Sequence, residues 1–89
     1  MKELFEKVRT AREVLKGIDT GKVAYISAAH SAYTTEAAKM DDELNFVGNP
    51  EEVKNDFLVG AIVEDLMTEE EFIIIWNAID IIQMSQIEC

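Results

Sequence analysis

Apolar residues in the first part of the chain recur at helical steps. Leu4, Val8, Ala11, Leu15 and Ile18 are separated by four, three, four and three residues, which makes one stripe. Gly17 and Gly21 bracket its end, and the spacing predicts a helix over 2–17. The next stretch is more regular still: Val23, Ile26, His30, Tyr33, Ala37, Met40 and Leu44 alternate steps of three and four. Three heptads with mostly apolar seam positions predict a helix over 21–45 that lies at a shallow angle on a neighbour, as in a bundle or a helical hairpin.

Punctuation follows at Gly48-Asn49-Pro50-Glu51-Glu52. Asn can cap, Pro suits the first helical position and the two carboxylates face the positive end of the helix dipole, so a third helix is expected over 50–67. Thr68-Glu69-Glu70-Glu71 then reads as a capping box and opens a fourth, over 69–87. From Phe72 to Met84 that segment is apolar on nearly all sides, with Asn77, Asp80 and Gln83 forming one narrow polar strip. Ile73–Ile75 and Ile81–Ile82 have high strand propensity, but the capping box and the three-residue spacing of the strip favour helix.

The expected architecture is an all-α four-helix bundle or pair of helical hairpins, a single helical domain over 1–89, completed by homo-oligomerisation. A helix with so wide an apolar arc needs more cover than 89 residues readily supply. The expected oligomer interface is therefore on the last helix, at Phe72, Ile75, Trp76, Ile79 and Ile82.

Composition sharpens this in one respect. Six of the eight basic residues (Lys2, Lys7, Arg9, Arg12, Lys16 and Lys22) fall in the first 22 positions, where the balance is +2, against −12 for the rest. Such a field disfavours direct nucleic acid binding and favours a protein partner with a basic surface. The single cysteine, Cys89, allows no intramolecular disulfide, and no apolar run is long enough to span a bilayer, so a cytoplasmic protein without membrane contact is expected.

Catalytic and cofactor motifs are sparse. The glycines are scattered and form no phosphate loop, no Ser or Cys sits in a nucleophile motif, and neither metal nor cofactor is expected. His30 stands alone on its seam and reads as a structural or pH-sensitive contact. With Asp41 as position 1 of a calcium loop, Glu43, Asn45, Asn49 and Glu52 fall at ligand offsets. However, Phe46 occupies the position whose sharp turn requires Gly.

Two non-enzymatic functions are consistent with these features. In the first, an acidic interaction protein of the kind phages and mobile elements encode inhibits a nucleic-acid-binding or defence enzyme by occupying its basic groove. The residues expected to bind that partner are Glu36, Asp41, Asp42, Glu43, Glu51, Glu52, Asp56, Glu64 and Asp65. In the alternative, a helical oligomer sequesters a small anionic ligand between subunits, using Arg9, Arg12, Tyr25, Tyr33 and Trp76.

Overall fold

Three helix starts are made by a side chain that takes up an otherwise unpaired backbone amide. Asp19 Oδ1 accepts from Gly21 N at 2.7 Å, and Asn49 Oδ1 accepts from Glu52 N at 3.3 Å with Pro50 following. At Thr68 the box closes in both directions, because Thr68 Oγ1 accepts from Glu71 N and Glu71 Oε1 accepts from Thr68 N, each at 3.1 Å. A computed structural model describes residues 2–87, with the side chains of all of these except 2, 4 and 85–87; Cys89 lies outside the described residues. It contains α1 (Lys2–Lys16), α2 (Thr20–Ala37), α3 (Pro50–Val63) and α4 (Glu69–Ile87), and no strand among the described residues. The Ile-rich segment is helical throughout.

Two helices end earlier than their apolar spacing suggests. α2 stops at Ala37 rather than 45, so Met40 and Leu44 continue the heptad in sequence but lie outside the helix. Beyond it the chain doubles back through an isolated antiparallel bridge between Met40 and Phe46. The cause is local: Asp41 Oδ1 accepts the amides of Glu43 and Asn45 at 2.9 and 3.0 Å, offering the backbone a turn in place of another helical one. Leu44 sits at φ 67, the left-handed position of a three-residue hairpin loop. α3 ends at Val63 instead of 67, in a Schellman motif: Leu66 N donates to Ala61 O and Asp65 N to Ile62 O, with Asp65 at φ 56.

α4 is the central element and packs against all three others, while α2 lies along α3 and α1 packs chiefly on α4. The core is Phe72, Ile75, Trp76 and Ile79 of α4 with Ile26 and Ala29 of α2, Ala61 of α3 and Met67. Four of the residues expected at an oligomer interface are thus part of the chain's own core. Phe72, Ile75, Trp76 and Ile79 are buried within the single chain, and Ile82 is half-buried, so α2 and α3 already cover that face. The helices form a slab of 44 × 39 × 16 Å. Its radius of gyration of 14.4 Å exceeds the value of about 12 Å typical of a compact chain this long.

Candidate functional site

The antiparallel pairing of α2 and α3 fixes where the carboxylates gather. Tyr25 at the start of α2 donates to the carbonyl of Phe57 at 2.8 Å, and Tyr33 near its end donates to Glu51 at 3.2 Å. The end of α2, the hairpin and the start of α3 therefore meet at one end of the slab. Gly48 presses against the carbonyl of Glu36 there, and Glu36 Oε1 accepts from Asn49 N at 3.3 Å.

Six of the nine acidic residues expected to bind a partner come together at this end: Glu36, Asp41, Asp42, Glu43, Glu51 and Glu52. Asp56 stands halfway along α3, and Glu64 and Asp65 lie past its far end, about 20 Å from Pro50 at helical rise. Between 36 and 56 the chain has seven carboxylates and two lysines. Both lysines are engaged: Lys39 pairs with Glu36 at 3.5 Å, and Lys54 lies over the Trp76 ring at 4.8 Å. Asp41 is held below the ordinary carboxylate range by the amides of Asn45 and Glu43. Burial and the hydrogen bond to Glu51 push the Tyr33 phenol upward.

Beside these charges the hairpin exposes apolar side chains. Leu44 is 77% and Phe46 70% exposed, with Met40 and Val47 next to them. Sequence reasoning missed this patch, because Met40 and Leu44 fit a helical seam; the signal available was the Asp41-Asp42 pair between them. The hairpin thus carries an acidic rim around exposed apolar residues.

A second feature, His30, was placed correctly on α2 but its partner was not foreseen. His30 is buried, and its Nε2 lies 3.0 Å from Asp80 Oδ1 on α4. The ring packs 5.0 Å from Trp76 and 6.2 Å from Tyr33. A small cavity of about 140 Å³ adjoins it, lined by Ser27, Ser31, Thr34 and Gln83. Thr34 Oγ1 donates to the carbonyl of Ser31 at 3.0 Å.

Of the residues expected to bind an anion, Tyr33 and Trp76 meet edge to face at 5.1 Å. Arg9 and Arg12 are exposed on α1, while Tyr25 and Tyr33 face α3 and Trp76 is buried between Phe72 and Tyr33. In the loop tested for calcium, Asp41 Oδ1 is occupied by backbone amides, and no group of three or more His, Cys, Asp or Glu among the described residues is arranged to hold a metal. No described helix is long and apolar enough to cross a membrane. Comparison of the chain with protein-family models, curated proteins and solved structures finds no match.

Proposed function

We propose that this chain is a small non-enzymatic interaction module of the cytoplasm whose acidic hairpin end occupies the basic groove of a nucleic-acid-binding or defence enzyme and so inhibits it. The observation that supports this most is the gathering of Glu36, Asp41, Asp42, Glu43, Glu51 and Glu52 around exposed Leu44 and Phe46. The charges steer the encounter with a basic surface, and the apolar tip supplies burial that a nucleic acid would not. The segregated basic α1 lies on another element and leaves the hairpin's field unneutralised. The alternative of a ligand-sequestering oligomer has less support, because its rings are taken up by packing within the chain, Tyr25 on Phe57 and Tyr33 on Trp76.

The test uses the triple variant Asp41→Lys, Asp42→Lys, Glu43→Lys beside Phe46→Ala in pull-downs at low and high salt. A partner held by the native chain at low salt, released by salt and lost to both variants supports the proposal. Undiminished capture by the charge-reversed chain would overturn it. The same reading takes the chain to act as a homo-oligomer, since its flattened slab leaves α1 and the outer face of α4 uncovered.

A further inference from the structure

The outer face of α4 has the composition of a seam with nothing on it. Ile74, Asn77, Ile81 and Met84 step by three, four and three, so they form one stripe turned away from the α2–α3 side. Ile74 is 45% and Met84 51% exposed, and Ile73 flanks them. Against α1 this stripe borders an open groove of about 630 Å³, floored by the small buried residues Ala11 and Ala78 and walled by Val14, Ile74 and Ile81.

The surface area indicates how much is uncovered. A compact monomer of 10.0 kDa exposes about 5,200 Å², and this chain exposes 6497 Å². The excess of about 1,250 Å² is larger than the roughly 800 Å² each partner buries in a standard stable interface. One more layer of helix on the slab would remove it.

We propose that this layer is a second copy of the chain, docked on the α1–α4 groove about a two-fold axis at Asn77. This rests on the homo-oligomer reading above and gives it a surface. A two-fold interface must be complementary to itself. The stripe meets that condition: with two α4 helices antiparallel, Ile74 lies against the partner's Ile81, and Asn77 meets its own counterpart. An amide can donate to and accept from an identical amide, and one polar residue in an apolar seam fixes register.

Helix direction sets which charges such a pair brings together. The chain leaves α1 through a short link into Lys22, whose Nζ lies 2.7 Å from Glu71 at the start of α4, so α1 runs toward that end and its own start faces the other. The antiparallel pair then brings Glu69 and Glu70 of one copy toward the start of α1 in the other, where the groove rim carries Lys7 beside Glu3 and Glu6, so the apolar stripe and not charge carries the pairing. Among the described residues neither Lys7, Arg9, Arg12 and Lys16 of α1 nor its Glu3, Glu6 and Glu13 make an ion pair.

The test combines light scattering over about a hundredfold range of concentration with cross-linking. The native chain should be a dimer, and Ile74→Glu, at an exposed position, should keep its helical circular dichroism while weakening the dimer roughly thirtyfold or more. In a Cys89→Ser background, Asn77→Cys should oxidise to a linked dimer far faster than Asp56→Cys on α3. That measurement decides the matter should Ile74→Glu fail to fold. A native chain that stays monomeric throughout would overturn the homo-oligomer reading and this surface together. A native dimer that survives folded Ile74→Glu, or that cross-links no faster through position 77 than through 56, would overturn the surface alone.

Discussion

Gly48→Ala is the sharpest test of how the acidic end is held. A Cβ built on Gly48 would lie 1.8 Å from the carbonyl oxygen of Glu36 and 2.8 Å from its carbonyl carbon. An ordinary carbon–oxygen contact is about 3.3 Å, so the overlap is about 1.5 Å, and it is with backbone rather than with a side chain that could rotate away. Relief requires either moving the returning strand of the hairpin or opening the last turn of α2. The second route loses the Glu36 contact to Asn49 N and the bond from Lys39 N to Glu36 O. Overpacking of this kind costs about 2–3 kcal/mol, which in a chain of this size lowers the thermal midpoint by about 10–20 °C.

The control is the same substitution elsewhere. At Gly17 the nearest atom to a new Cβ is the carbonyl oxygen of Val14 at 3.7 Å, an ordinary contact. Gly17→Ala should therefore stabilise by about 0.4–1 kcal/mol through the unfolded chain. Thermal and urea unfolding of both variants, followed by far-ultraviolet circular dichroism, gives the comparison. Equal midpoints for Gly48→Ala and the native chain would refute the close approach, and with it the geometry that gathers Glu36 beside Glu51 and Glu52.

Other predictions follow from single features. Leu44→Gly and Asp65→Gly each remove a side chain from a left-handed position and should raise stability by about 0.5–1 kcal/mol in urea titrations, while Leu44→Gly also weakens partner capture. Phe72→Ala empties the centre of the core and should cost about 3–5 kcal/mol, enough to leave much of the chain unfolded at room temperature. Stability should fall in acid below about pH 4.5. Glu71 is held below its ordinary 4.5 by Lys22 and by the Thr68 amide, and Asp41 below 3.8 by its loop amides, so their contributions are complete above those values and vanish as pH drops through the lowered ones. Tyr33, raised above its ordinary 10.0, gives the opposite limb: its contribution is present below 10.0 and lost as pH rises beyond the raised value. Urea midpoints against pH, with Glu71→Gln flattening the acid side, check both limbs.

The helix starts were legible because each depends on two or three adjacent residues: Asn49 before Pro50, and Thr68 with Glu71. The ends of α2 and α3 depend on competition between a helical turn and another use of the same amides. Periodicity carries no information on that, so Met40 and Leu44 extended a seam that Asp41 and Gly48 interrupt. The apolar width of α4 was equally plain, but width does not say which surface covers which side. Trp76 and Ile79 are covered by α2 and α3, and Ile74 and Met84 are left outside. His30 shows the same limit. Its partner Asp80 is 50 residues away, and only the crossing of α2 on α4 makes them neighbours.

Charge segregation along the chain acquires a physical meaning through this packing. A four-helix chain that folded α1 against α2 and α3 would set Arg9, Arg12 and Lys16 beside the hairpin's carboxylates and quench both fields. Docking α1 on α4 avoids this, and Lys39 and Lys54, the only cations near the hairpin in sequence, are already tied to Glu36 and Trp76. In the proposed two-fold pair the basic α1 helices draw toward the axis and the two acidic hairpins point away from it. Such a dimer presents two equivalent sites on one rigid body, so its hold on a dimeric or repetitive partner should exceed that of a single site by about a hundredfold or more. Ile74→Glu then becomes informative about function as well as assembly. Its hairpin is unaltered, so its affinity for an isolated basic domain should match the native chain, while its hold on the same domain displayed in tandem should fall to the single-site value. Equal loss on both formats would mean that position 74 touches the partner directly and that the two surfaces are one.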